Sequence, residues 1–430
     1  MKEILQSQDW DLKKYRSKPG IDSKNLEDLV AKIIDQVREF GDQALYDLTQ
    51  LYDGVDIKER GLKVLQEEIT GAYKKVDQSF LNALQQAKKN ILSYHKKQLR
   101  ASWFNYDREG VLTGQLIRPL QRVGIYVPGG TAAYPSSVLM NALPALAAGV
   151  EEIVMVTPPL KDGTIAPEVL TAAAECGIKE IYRLGGAQAI SALAYGTETI
   201  EPVDKITGPG NIYVTLAKKQ LFGVVDIDML AGPSEILILA DENNNPAELA
   251  ADLLSQAEHD KLASAILISP VQSLLEEVAA EIERQLPSLP RYDIARSAWD
   301  NYGALIQVKD LEEGFKLVNE LAPEHLELAV RDPFSWLSKI KNAGAVFLGS
   351  HTPEPVGDYF AGPNHVLPTS GTARFFSALD VDAFLKKTSI INYSPEALER
   401  EADPIMLLAR KEGLEAHARA IEVRKNKGGG

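Results

Sequence analysis

Sulfur is what this chain has least of. Cys176 is the one cysteine in 430 residues, so the chain forms no internal disulfide and no thiolate metal cluster. It closes Ala172-Ala173-Ala174-Glu175-Cys176-Gly177, a helix end capped by glycine, where a small buried apolar residue is a simpler reading than a nucleophile. An aldehyde oxidation carried by this chain would therefore proceed without a thiohemiacetal. Positive charge is also short: 46 Lys and Arg against 60 Asp and Glu leave a formal net charge of −14, which argues against a nucleic-acid partner. No apolar run reaches the roughly 18 residues of a membrane helix. Met1-Lys2-Glu3-Ile4-Leu5 has none of the character of a secretory signal. The expectation is a cytoplasmic enzyme with no membrane partner. Histidine is scarce too, at six residues, so where each one sits carries weight.

What is present is an ordinary globular composition, 45% hydrophobic and 25% charged, over a length that calls for more than one lobe. Residues 1 to about 110 are charge-rich and helical in pattern, with helices expected over 25–40, 43–52, 66–76 and 78–100. From Arg122 the chain alternates. Strand Val123–Val127 leads to helix 136–148, strand 152–157, helix 167–175, strand 180–184, helix 188–195, a helix from Asn211 and strand 235–240. A second alternating series runs from helix 246–258 to strand 343–348. Strands that alternate with helices imply parallel sheets covered on both faces.

The expected fold class is α/β: two doubly wound, incomplete Rossmann-like parallel-sheet domains with small helical extensions at both ends. Residues 1–22 would form the N-terminal helical extension, and 23–121 with 235–383 the larger domain. Residues 122–234 would form the second domain, and 384–430 a helical tail. Gly428-Gly429-Gly430 carries no assignable role.

In open parallel sheets, ligands bind beyond the carboxyl ends of strands. Pro128-Gly129-Gly130, Gly185-Gly186-Ala187-Gln188 and Gly208-Pro209-Gly210-Asn211 are expected at such ends. Each is either an ordinary turn or a backbone cradle for phosphate. None is a G-x-G-x-x-G fingerprint, yet three in one lobe favour a nucleotide-like ligand. Ser255-Gln256-Ala257-Glu258-His259 follows an apolar helical run, so Gln256 and His259 share one helix face as half of a metal site or as plain surface. Asp358, in a glycine-flanked loop, and His417, on a late helix, are open to the same two readings. Together the four make a nitrogen and oxygen set suited to zinc, and the missing thiolates favour a catalytic over a structural ion.

Pro323-Glu324-His325 sets a carboxylate beside an imidazole, where the pair is either salt-bridged structure or an acid–base couple. On a strand the two would face opposite ways; at its start they can converge. His95 is expected on a solvated helix face and His351 on a surface loop. His365 stays ambiguous, one possibility being that it orients the Asp358 loop.

These residues, with Tyr126-Val127-Pro128-Gly129-Gly130, Ala231-Gly232-Pro233-Ser234-Glu235, Gly357-Asp358-Tyr359 and Asn364-His365-Val366-Leu367-Pro368-Thr369, resemble the histidinol dehydrogenase family. The resemblance implies oxidation of L-histidinol to L-histidine through the aldehyde, with two NAD, as the last step of histidine biosynthesis. It implies one zinc per subunit held by Gln256, His259, Asp358 and His417. Ser234 and Glu412 would contact substrate together with Gln256, His259, His325, Asp358 and His417. Tyr126, Gln188 and Asn211 would contact NAD, and Glu324 and His325 would be catalytic. The late helix would cross to the other subunit of a homodimer, so that Glu412 and His417 complete the neighbouring site. Two rival readings are a paralogous NAD-dependent dehydrogenase of another small alcohol and a non-catalytic, metal-stabilised binding protein.

Overall fold

The computed structural model describes residues 2–11, 24–129 and 133–425. Gly130 and Gly428-Gly429-Gly430 lie outside the described residues. The chain forms two compact units, one of residues 1–98 with 120–384 and one of residues 99–119 with 385–430.

The first unit carries both expected parallel sheets. One is six-stranded, built from β1 (Ile4–Gln6), β9 (Glu235–Ala240), β10 (Ser264–Ser269), β11 (Gly303–Gln307), β12 (His325–Ala329) and β13 (Ala345–Leu348), in the order β1-β11-β10-β9-β12-β13. All its pairings are parallel. Its central strands are apolar through most of their length, because both faces are covered, with polar residues confined to strand ends and to His325 and Glu327 of β12. Successive residues alternate between two cores: Ile236, Ile238 and Leu267 pack on one face, and Leu237, Leu239 and Ile266 on the other. Helices α8 (Pro246–Ala257), α9 (Gln272–Gln285) and α10 (Tyr292–Tyr302) cover the first face, and α11 (Leu311–Leu321) the second. Pro246 at the first helical turn and Asn245, whose side chain accepts from the Ala247 N–H, start α8.

The other sheet contains β4 (Arg122–Tyr126), β5 (Glu152–Thr157), β6 (Glu180–Arg183), β7 (Lys205–Thr207) and β8 (Asp226–Ile227), in the parallel order β6-β5-β4-β7-β8. Helix α1 (Lys24–Tyr52) breaks at Gly41, whose φ of 51° is left-handed, so it acts as the two helices the sequence suggests. Val30, Ile33, Ile34, Val37, Leu45 and Leu48 of α1 join Val154, Val156 and Ile206 in one core. The sequence reading groups 23–121 with the larger domain, whereas α1 packs its apolar stripe on helices 186–195 and 212–221, which cover one face of the 122–227 sheet, and so joins that domain's core. Residues 4–6, read as part of a helical extension, are instead an edge strand on β11, and 12–22 lie outside the described residues.

The second unit is an antiparallel sheet of β2 (Trp103–Arg108), β3 (Val111–Pro119) and β14 (Leu385–Tyr393), with helices α13 (Pro395–Lys411) and α14 (Glu415–Lys425). The helical tail expected from 384 is helical from Pro395 onward, but opens on a strand. Leu385 to Tyr393 pairs residue by residue with Val111 to Pro119, a long-range partnership with no local helical competitor, since Ser394 and Pro395 start α13 only afterwards. Among the described residues no helix is long and apolar enough to cross a membrane.

Candidate active site

Both sheets change winding direction once, between β4 and β7 in one and between β9 and β12 in the other. In the first sheet the consequence is the usual one, a crevice at the carboxyl ends of the strands. A cavity of about 500 Å³ lies there, lined by Tyr126, Gly129, Lys161, Gln188, Asn211 and Tyr213 among others. Tyr126 and Gln188 are buried, and the Gly186 N–H donates to the Tyr126 hydroxyl at 3.1 Å. Burial pushes the Tyr126 phenol up to about 12, so it stays a neutral hydrogen-bonding group. Asn211 caps its helix, its side-chain oxygen accepting from the Tyr213 and Val214 N–H groups at 3.0 and 3.2 Å. Gly208 is needed for packing: a Cβ there would sit 2.1 Å from the Tyr126 carbonyl oxygen. Its N–H is committed to Asp228 at 2.8 Å, so that loop is in large part a turn.

The second sheet departs from the rule, for its polar cluster gathers at the amino ends of β9 and β12. His325 opens β12 opposite Ile236, and Glu324 precedes it. Helix α11 ends at Ala322, whose φ of 52° is strained for a residue with a Cβ, and Pro323, which has no N–H to donate, stops the helical ladder just before the pair. Gly344 lets β13 begin against Glu324, since a Cβ there would lie 2.5 Å from the Glu324 carbonyl oxygen.

One peptide braces both members of the pair. The Glu235 N–H donates to Glu324 Oε2 at 2.8 Å, and the Glu235 carbonyl lies 2.9 Å from His325 Nδ1. A carbonyl only accepts, so Nδ1 carries a hydrogen, and it is Nε2 that gains or gives up the second proton as the imidazole charges or discharges. Glu324 and His325 do converge, as a strand's start allows, with Nδ1 and Oε2 3.7 Å apart. Nε2 points to Asp358 Oδ1 at 3.7 Å and Glu354 Oε1 at 4.0 Å.

Around this pair lie nitrogen and oxygen donors. Ligand atoms of His259, Glu354 and Asp358 fall within 4.8 Å of one another. Gln256 is fully buried with both amide atoms unpartnered, as are Glu354 Oε1 and His325 Nε2. An unsatisfied buried polar group costs about 1–3 kcal/mol, so a cluster of them marks groups held ready for a ligand. Neutral imidazole, carboxylates and an amide oxygen form a donor set that fits zinc or a similar divalent ion. His259 falls in the turn just past α8, not on the helix itself, its N–H reaching back to the Gln256 carbonyl at 3.2 Å. It keeps an exposed edge, yet desolvation of its ring lowers its pKa, against the pull of Asp358, and so favours the neutral form a metal needs.

Burial raises Glu324 to about 8, with His325 pulling the other way, and raises Glu354 to about 9. Burial alone would lower His325; Glu324 first, then Asp358 and Glu354, outweigh it and raise the imidazole to about 10. Burial would likewise raise Asp358, but the His325 and His365 imidazoles hold it below the carboxylate range. Ser234 directly precedes β9 and is half-buried.

Glu412 and His417 belong to the second unit, at the end of α13 and on α14, and both are exposed there. His365 Nδ1 contacts the Asp358 carbonyl at 3.1 Å, the loop-orienting possibility among those left open. His95 is corrected: it is fully buried, 2.8 Å from Gln98 Oε1, because α3 (Gln78–Lys96) turns that face inward. His351 is an exposed loop residue. The residue missed from sequence is Glu354. Its signal is a carboxylate four residues before Asp358, just after Pro353, where a helical turn sets the two on one side.

Two parallel sheets, one with a crevice at its switch point and one with a buried acid–imidazole pair among unpartnered donors, define an α/β enzyme built for acid–base chemistry beside a metal-type donor set. Comparison with known proteins makes this specific. The histidinol dehydrogenase family profile matches residues 16–425. The chain is 55% identical to histidinol dehydrogenase of Heliobacterium mobile, over 97% of this chain and 98% of that one. It is 57% identical to that of Bacillus subtilis, over 93% of each. The crystal structure of histidinol dehydrogenase from Elizabethkingia anophelis superposes with a TM-score of 0.93 at 38% identity, covering 99% of this chain and 98% of that one. The chain belongs to the histidinol dehydrogenase family.

Proposed function

We propose that this chain oxidises L-histidinol to L-histidine through the aldehyde, as the last step of histidine biosynthesis. The observation that carries the reading is the Glu235 peptide, which fixes Glu324 and His325 together and leaves His325 Nε2 aimed at the donor cluster. Gln256, His259 and Asp358 would hold zinc, with His417 and Glu412 supplied by the partner subunit of a homodimer. Zinc held there would supply positive charge to orient the substrate and offset the surrounding carboxylates. Tyr126, Gln188 and Asn211 would line the NAD site in the 122–234 domain, and NAD would supply the hydride acceptor.

In the first oxidation His325 Nε2 takes the alcohol proton. The aldehyde has no second hydride to give until water adds to it. Glu324 takes a proton from that water while His325 returns the alcohol proton to the carbonyl oxygen, which gives the diol and frees His325 to accept a diol proton as the second hydride leaves. Ser234, beside Glu235, would contact the substrate. The lone Cys176 is buried with its thiol pushed up to about 12, which suits a route without sulfur and a cytoplasmic setting. Separate assay of the two half-reactions tests the reading: loss of His325 should abolish both, and loss of Glu324 chiefly the second. Full aldehyde oxidation by a Glu324 variant would overturn the division of labour.

A further inference from the structure

Behind the donor cluster lies a second pair of acids that the proposed chemistry does not use. Glu327 follows His325 by two residues on β12, so it projects to the same face, and it is 5% exposed. Asp252 precedes Gln256 by four residues and His259 by seven on α8 and its closing turn, again one face. The two carboxyls are hydrogen-bonded to each other. Two carboxyl groups in that contact share a proton, one donating and one accepting. Glu327 Oε1 also accepts from the Glu354 N–H at 2.7 Å, and Glu354 is the first residue of the helical turn that leads to Asp358.

We infer that Asp252 and Glu327 are positioning residues, a carboxyl pair that ties together the three segments bearing the Gln256–His259, Glu324–His325 and Glu354–Asp358 groups. The register of the donors rests on this link because no other side chain named above bonds to all three segments. An apolar pair of equal size would fill the space and leave each segment free to shift. A shift of about 1 Å is enough to spoil a preorganised site. Burial, then the charge of Asp252, raises Glu327 to about 8; burial raises Asp252 to about 6, against its hydrogen bond with Glu327 and with Glu248 adding to the rise.

The inference rests on the proposed metal reading, so its test keeps the two apart. Glu327→Gln can still accept from the Glu354 N–H and donate to Asp252, whereas Glu327→Met can do neither. Hydrogen exchange of the 350–360 segment in metal-free protein reads the link itself. Glu327→Met should speed exchange at Glu354 by tenfold or more, and Glu327→Gln and Asp252→Asn by less than threefold. Titration with Co²⁺, read by its visible ligand-field bands, should show affinity at least tenfold weaker in Glu327→Met, with altered band intensities, and restored in Glu327→Gln. Unchanged exchange with Co²⁺ affinity within twofold in folded Glu327→Met overturns the inference, as does a Glu327→Gln variant as impaired as Glu327→Met. A wild-type chain that takes up no Co²⁺ overturns the metal reading instead, and the exchange result still decides this one.

Discussion

Replacing Glu324 by glutamine probes the proposed chemistry with the least disturbance. The residue is 6% exposed, and its one fixed partner is the Glu235 N–H at 2.8 Å. Glutamine is nearly isosteric and keeps an oxygen for that N–H, so the brace on the pair survives. What disappears is the proton acceptor. A general base is worth about 10²–10⁴-fold, or roughly 3–5 kcal/mol of barrier at 1.36 kcal/mol per decade. A second effect runs the other way. Glu324 is the strongest of the neighbours that raise His325, so its neutralisation lowers the imidazole pKa. A lower pKa enlarges the neutral, proton-accepting fraction at a given pH and moves the acid limb of alcohol oxidation downward. With L-histidinaldehyde as substrate, at saturating NAD and zinc, the rate should fall about 10²–10⁴-fold. With L-histidinol, the first hydride measured in a single turnover should slow by less than about tenfold. Equal losses in both half-reactions would refute the assignment of water activation to Glu324.

Other outcomes follow from the same geometry. Gln256→Leu removes two unpartnered buried atoms, so the metal-free variant should be as stable as wild type or about 1–3 kcal/mol more stable by denaturant melt, while its zinc affinity falls at least tenfold. Glu324 and Glu354 have folded pKa values of about 8 and 9, above the usual carboxylate value, so the folded state holds extra protons. Metal-free stability should therefore fall as pH rises from about 5 to 9, and Glu324→Gln should flatten the slope; a rise across that window contradicts the argument. Cys176→Ser should leave both half-reactions unchanged, and in native protein the thiol should resist thiol reagents until unfolding.

Much of this was legible in the sequence, for identifiable reasons. Apolar runs such as Glu235–Ala240 and Ser264–Ser269 declare buried parallel strands because both faces need covering. Glu324 and His325 stand out because Pro323 fixes them at a strand's start. Harder to read was whatever depended on distant partners. Leu385–Tyr393 becomes a strand only by pairing with Val111–Pro119, across more than 260 residues. His95 looks solvated among lysines until α3 is packed and Asn364 reaches it. The amino-end location of the second site escapes the usual rule for open sheets, because its donors come from a helix C-terminus and the loop after β13. Glu354 was missed since a carboxylate between two prolines reads as loop surface, and only its burial and its unpartnered oxygen mark it out.

The central claim is that one acid–imidazole pair carries a substrate through two oxidations without a thiol. Counting NADH formed per L-histidinol consumed by the zinc-loaded protein, with the aldehyde trapped by a carbonyl reagent, tests it most directly. The account predicts about two NADH for each histidine formed, with no free aldehyde captured. One NADH per histidinol, with the aldehyde released to the trap, would contradict it.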